Sequence, residues 1–192
     1  LNILLTSYSN LYVNDFMLPT GNLRENKKGA KRAEIIIVTK CPSDLSEKEQ
    51  KKIIKKLRPT IYQNVFFTYI EYDTILKGDN SINISELNNK EVILVTGIAN
   101  STPLVKHLHY EGVIFKHLEY GDHHNFTDKD LEKIKTIQSN NKVVLTTEKD
   151  YVRIFDKLKK LYYLPIETKF INRKSDFDNI IKKYVEQSSR NS

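Results

Sequence analysis

Cysteine occurs once in 192 residues, as Cys41, and tryptophan does not occur. A lone thiol excludes an internal disulfide framework and cannot build a cysteine-rich zinc site; it points to a reducing compartment. No apolar run approaches the roughly 20 residues that span a bilayer. No charged segment leads into an apolar one with a small-residue cleavage site, so no signal peptide is visible. Glycine is also scarce: Gly21, Gly29, Gly78, Gly97, Gly112 and Gly121 are the full set. None begins a G-x-x-x-x-G-K-S/T phosphate loop. The G-x-S-x-G elbow, H-E-x-x-H and internal repeats are missing, and no Asp-x-Asp follows a strand signal, which counts against a metal-dependent phosphoesterase.

What is present is an ordinary globular composition, 39% hydrophobic and 29% charged, with 31 Lys and Arg against 24 Asp and Glu for a net charge of +7. A chain of this length can form one large domain or two small ones, and buries roughly 70% of its unfolded surface. The basic excess suits an anionic partner: phosphate, nucleic acid or an anionic membrane surface.

Apolar, β-branched runs at Asn2–Thr6, Glu34–Thr39, Val65–Tyr69, Val92–Thr96, Val113–His117, Val143–Thr146 and Leu161–Leu164 alternate with helical patterns. Several runs are continuous, as in strands covered on both faces. Helix starts are marked by Ser46 with Glu49, Ser101 before Pro103, Thr127 with Asp130, Thr147 with Asp150 (ahead of Ile154, Phe155 and Leu158) and Ser175 with Asp178. The last introduces the clearest amphipathic spacing, Phe177, Ile180, Ile181, Tyr184 and Val185. This alternation predicts a three-layer α/β/α fold with a mostly parallel sheet. Lys77–Asn89 reads as a loop and Gln187–Ser192 as a frayed end.

Four segments fall where α/β proteins carry chemistry, at the carboxyl ends of strands. Arg24 and Glu25 follow the Pro19–Gly21 turn; Arg24 offers a planar fork to a phosphate, or simply pairs with Glu25. Gly97 to Asn100 opens a helix whose N-terminus offers free N–H groups, unless Asn100 or Ser101 only caps it. Asp122, His123 and His124 form the most distinctive stretch: a carboxylate beside an imidazole makes a general base, and the same groups suit a divalent metal. Lys149 lies between Glu148 and Asp150 at another strand-to-helix junction, where it can reach an anion. The lysines at 48, 51, 52, 55 and 56 fall on the outer face of one helix. Such a face is ordinarily just solvated, although it can also meet anionic lipid. Without interleaved aromatics or a recognisable motif, nucleic acid is not expected as a partner.

In order, Leu18-Pro19-x-Gly21-x-Leu23-Arg24-Glu25, Arg32-Ala33-Glu34, Val38-Thr39-Lys40, Gly97-Ile98-Ala99-Asn100, Asp122-His123-His124-x-Phe126-Thr127 and Thr147-Glu148-Lys149-Asp150 resemble the carboxy-terminal part of the tetraacyldisaccharide 4′-kinases. These are the lipid A 4′-kinases of Gram-negative bacteria. The likeness runs from Leu1 to about Phe170; Asn26 departs from it, where the family usually has Pro.

The resemblance implies transfer of the ATP γ-phosphate to the 4′-hydroxyl of a lipid A disaccharide 1-phosphate, with Mg²⁺, at the cytoplasmic face of the inner membrane. It implies two α/β domains, with the P-loop and an acidic metal-binding segment preceding Leu1. Residues 1–62 would end the nucleotide domain, 63–163 form the second domain, and 164–192 return to the first. Val65–Tyr72 and Leu161–Phe170 would be crossover strands. Asp122 and His123 would be catalytic, Arg24, Glu25, Asn100 and Lys149 would meet phosphate or substrate, and no residue here would ligate the metal. ATP and Mg²⁺ would be bound mainly by the preceding half, leaving these 192 residues inactive alone. Two other readings stay open on the residues themselves: a metal-dependent phosphoesterase built on Asp-His-His, and a non-catalytic module whose basic helix binds an anion such as nucleic acid or anionic lipid.

Overall fold

A computed structural model describes residues 1–138, 142–154 and 156–190. The chain divides into two compact units, Leu1–Glu71 with Thr168–Ser192, and Tyr72–Glu167. The sequence reading put the divides at 62/63 and 163/164. The observed limits lie later, inside the two strands β3 (Asn64–Tyr72) and β10 (Ile166–Phe170). Both strands belong to the first unit's sheet, β3 as the chain leaves that unit and β10 as it returns.

The first unit is a four-stranded sheet in the order β1-β2-β3-β10, where β1 is Ile3–Ser7 and β2 is Ile35–Thr39. The β1, β2 and β3 strands run parallel. The continuous run Ile35-Ile36-Ile37-Val38 is fully apolar because both faces of β2 are covered. Ile36 and Val38 pack towards Ile53 and Leu57 of α1 (Glu47–Leu57). Ile35 and Ile37 face Phe177, Ile180 and Ile181 of the last helix, Lys174–Arg190. Cys41 is buried beside α1, where desolvation pushes its thiol up to about 11, so it is a core residue and not a nucleophile.

The second unit holds six strands. They are β4 (Ile75–Gly78), β5 (Ile82–Asn83), β6 (Val92–Thr96), β7 (Phe115–Glu119), β8 (Val143–Thr147) and β9 (Leu161–Leu164), in the order β5-β4-β9-β8-β6-β7. The inner pairs are parallel, and β4 joins antiparallel to β9 and β5. Alternation along β6 sorts the two cores. Leu94 faces α2 (Thr102–Tyr110) through Leu104 and Leu108. Ile93 and Val95 face α3 (Asp128–Gln138) through Leu131 and Ile134, and α4 (Glu148–Ile154) through Ile154. Each such side chain, removed from water, contributes about 1.5–3 kcal/mol. The fold is therefore α/β with mostly parallel sheets between helical layers.

Several expectations need correction. Lys77–Asn89 is not a loop: it carries the end of β4, then β5 and a 3-10 turn, Ile84–Leu87, with Ile84 and Leu87 buried. Its apolar residues are scattered singly among polar ones, and pairing with β9 supplies what periodicity did not show. The seventh strand starts at Phe115, since Val113 is used to close the end of α2 through its N–H to Leu108 O. Leu161–Phe170 is two strands parted at Pro165. The last helix starts at Lys174, before the expected Ser175 cap, and its Asp176 accepts from Arg173 Nε at 2.8 Å. Tyr184 and Val185 stay exposed. Gln187–Arg190 is helical, with Ser188 and Ser189 hydroxyls donating to the carbonyls of Tyr184 and Val185; Asn191, Ser192 and the expected core residue Phe155 lie outside the described residues.

Candidate active site at the strand ends of the second unit

Because β6, β7 and β8 are parallel neighbours, the loops after them open on one edge of the sheet. Gly97 joins those loops. Its N–H donates to Asp150 Oδ2 at 2.8 Å, and its carbonyl accepts from the His123 N–H at 3.1 Å. A Cβ at Gly97 would lie 3.1 Å from Asp150 Oδ1, so glycine is what allows this approach. His123 sits in the left-handed region, φ 56°, inside a tight turn closed by the His124 N–H to Gly121 O.

That turn separates the two histidines. His124 stacks on Tyr120 with ring centroids 4.6 Å apart and places Nε2 3.0 Å from Asp130 Oδ2. Asp130 also accepts from the Thr127 N–H and hydroxyl, and these bonds, with His124, hold its carboxyl down to about 2. His124 thus braces the start of α3.

His123 instead stands 67% exposed among charges. Lys149 Nζ is 3.3 Å from His123 Nε2, and Arg153 Nη2 is 3.3 Å from Nδ1. Asp122 lies 3.8 Å from Nε2 and 3.7 Å from Lys149 Nζ. A neutral imidazole has one lone pair to offer, so it accepts from only one of the two cations in either tautomer. Arg153 is itself held from behind, by Asp150 Oδ1 at 3.7 Å and by the His124 carbonyl at 3.3 Å. Asp150 is fully buried, and Oδ1 has no hydrogen-bond partner among the described residues.

Of the residues marked in the sequence, Asp122, His123 and Lys149 come together. Asn100 does not join them: its side chain accepts from the Thr102 N–H at 3.1 Å and shapes the entry to α2. Neighbouring Ser101 is buried and its hydroxyl donates to Glu119. Arg24 and Glu25 belong to the first unit, where both are exposed. Glu25 pairs with Arg32, both carboxylate oxygens lying 2.6 Å from Nη2, rather than with Arg24. Arg153 and the positioning role of Asp150 were missed. Arg153 was legible, because it follows Lys149 by four residues and so shares its helix face.

No group of three or more His, Cys, Asp or Glu is assembled for a metal among the described residues. The sequence contains no phosphate loop either, and nothing observed favours the phosphoesterase reading. Among the described residues no helix is long and apolar enough to cross a membrane.

Mostly parallel sheets between helices, one with a carboxylate, an imidazole and two cations at its strand ends, define an α/β protein with a candidate site at the usual strand-end position. Residues 1–186 match the family described as tetraacyldisaccharide-1-P 4′-kinase, and the chain belongs to that family. It is 47% identical over 97% of its length to the tetraacyldisaccharide 4′-kinase of Flavobacterium johnsoniae, covering 55% of that protein. For the protein of the same name in Flavobacterium psychrophilum the identity is 46% over 98% of this chain and 56% of the relative. For that of Phocaeicola vulgatus it is 35% over 100% and 57%. The chain thus spans about half the length of the curated relatives it matches. No solved structure matches it.

Proposed function

We propose that this chain is the carboxy-terminal part of a kinase that phosphorylates the 4′-hydroxyl of a lipid A disaccharide 1-phosphate from ATP, as a peripheral protein on the cytoplasmic face of the bacterial inner membrane. The observation that carries the reading is the exposed His123 ring, flanked by Asp122, Lys149 and Arg153, in a chain of this family. On this reading ATP supplies the phosphoryl group, and ATP and Mg²⁺ are bound by the part of the family's length that these residues do not cover.

Phosphoryl transfer asks for positioning and charge neutralisation more than for covalent chemistry. His123 has the atoms for the first task. The lone pair that accepts from a cation in the free chain is the one that takes the hydroxyl proton, and Asp122, within 4 Å of Nε2, balances the imidazolium that forms. Lys149 and Arg153, released from the ring, hold anionic oxygens of the substrate. Arg24 and Glu25 meet phosphate or substrate from the first unit, and Asn100 is the weakest member of the set because its amide oxygen is already engaged.

Steady-state assay of the full-length protein with ATP and the lipid acceptor tests the assignment. His123→Ala should lower kcat by roughly 10²–10⁴-fold, the range for general acid–base groups. An unchanged rate removes His123 from the chemistry.

A further inference from the structure

The α1 lysines look like a solvated helix face in the sequence, but in the first unit they form one wall of a cleft of about 940 Å³. Lys52, Lys55 and Lys56 stand on one side. Lys27, Lys28 and Lys31, from the 3-10 segment Lys27–Arg32, stand on the other. Arg58, just past the end of α1, adds a seventh cation, and no acidic residue lines the cleft. The floor is fixed: Tyr12 Oη donates to Leu57 O at 3.4 Å, and Lys27 Nζ to Val13 O at 2.7 Å. Among the described residues Lys28, Lys31, Lys55 and Lys56 make no ion pair. Like charges gathered round one concavity repel, and an anionic partner relieves that repulsion.

The loops that continue from the lining carry exposed apolar side chains. Phe16 (66% exposed), Met17 and Leu18 (60%) follow Asn14, and Ile61 (90%) and Tyr62 (81%) precede Gln63. Lys27 lies 5.3 Å from the Phe16 ring centroid. Free phosphate has no use for such tips. A nucleic acid could stack on the aromatic ones but not on Met17, Leu18 or Ile61. Basic groups beside aliphatic and aromatic tips match a lipid surface, with headgroup phosphates met by the lysines and acyl chains by the tips.

We propose that this cleft and its two apolar tips dock the chain on an anionic phospholipid surface. The proposal deepens the reading of a protein working at such a membrane and rests on it for setting. Its test involves no phosphoryl transfer, so either can fail alone.

Co-sedimentation of the full chain with phosphatidylcholine vesicles, with and without about one-third phosphatidylglycerol, reads the interaction. Binding should require the anionic lipid. Lys28→Gln with Lys31→Gln and Lys56→Gln should weaken it roughly 100-fold, from what each basic residue contributes near an anionic leaflet. Ile61→Ser with Tyr62→Ser should remove the binding that survives high salt, where charge is screened. All five positions are surface ones, and an unchanged circular dichroism spectrum confirms that the variants fold. Wild-type binding by the triple variant overturns the proposal. So does selective release from vesicles by inorganic phosphate over chloride at equal ionic strength, which would mark a free-phosphate site. Tighter binding of a DNA duplex, lost in the same triple variant, overturns it as well.

Discussion

The two units share an architecture, a mostly parallel sheet apolar on both faces with helices against each, yet each gathers its most distinctive charge cluster differently. In the second unit charges at the strand ends are matched at short range, Asp150 to Arg153 and Asp122 to Lys149. In the first, six lysines and an arginine surround a cleft without a carboxylate in its lining. Matched charges hold side chains in fixed geometry, which a reacting hydroxyl needs. Unmatched ones create a field that attracts an anion without fixing its pose. On the proposed readings one architecture serves positioning in one unit and attraction in the other, so function is read from the sites rather than from the sheets.

The sharpest way to break this comparison is through Asp150. Its Oδ2 accepts from the Gly97 N–H and the Thr147 hydroxyl, and its Oδ1 faces Arg153. Asp150→Ala leaves a buried N–H unpaired and a cation without its partner, at a cost of about 3 kcal/mol. Native-state hydrogen exchange should show that loss in β6 and β8, with β1 and β2 unchanged. An equal loss in β2 would mean that the two units open as one, and that the matched charges of the second unit serve the whole chain.

A smaller effect should appear with pH. Helices in both units start on a capping box, Ser46 with Glu49 in the first and Thr127 with Asp130 in the second, but only the second adds a histidine. Asp130 titrates at about 2 in the folded chain, below its ordinary 3.8. Its contribution is therefore complete above pH 3.8 and is lost as pH falls through about 2. Denaturant unfolding across that range should show wild type more stable than Asp130→Asn above pH 4, with most of the gap gone by about pH 2. A gap undiminished at pH 2 would show that the loss comes from packing rather than from the carboxylate's charge.

How far these contrasts were legible in the sequence depended on range. Continuous runs such as Ile35–Val38 and Val92–Val95 announced buried parallel strands, and the S/T-x-x-D/E boxes announced three helix starts, because both signals are local. Ile84 and Leu87 hid among polar residues, since their burial depends on β4 pairing with β9 about 80 residues away in sequence. The Asp122–His123 dipeptide and Lys149 were each visible at a strand-to-helix junction, but their meeting depends on strand order and emerges only in the fold. The division of labour between His123 and His124 was not visible, because it depends on one left-handed residue that turns neighbouring rings apart. The opposing wall of the lysine cleft was equally hidden, for Lys27–Lys31 and α1 meet only in the folded unit.

The smallest expected effect tests whether the first unit's helix starts are as self-contained as they look. The Ser46 hydroxyl accepts from the Glu49 N–H at 3.3 Å and donates to the Glu49 carboxylate at 2.7 Å, which in turn accepts from the Ser46 N–H at 3.2 Å. All these groups are exposed, and the hydrogen bonds of the box run between Ser46 and Glu49 alone. Ser46→Ala should therefore cost about 1 kcal/mol, the usual value for a lost N-cap, measured by denaturant unfolding. Glycine at the same position should restore most of it by freeing the backbone for solvent. Because α1 also forms one wall of the cleft, vesicle binding of Ser46→Ala reports on the other half of the comparison. A field of unmatched charges tolerates a frayed first turn, so binding should hold. Loss of binding together with that ~1 kcal/mol would mean that the cleft depends on fixed geometry after all, as the second unit's cluster does.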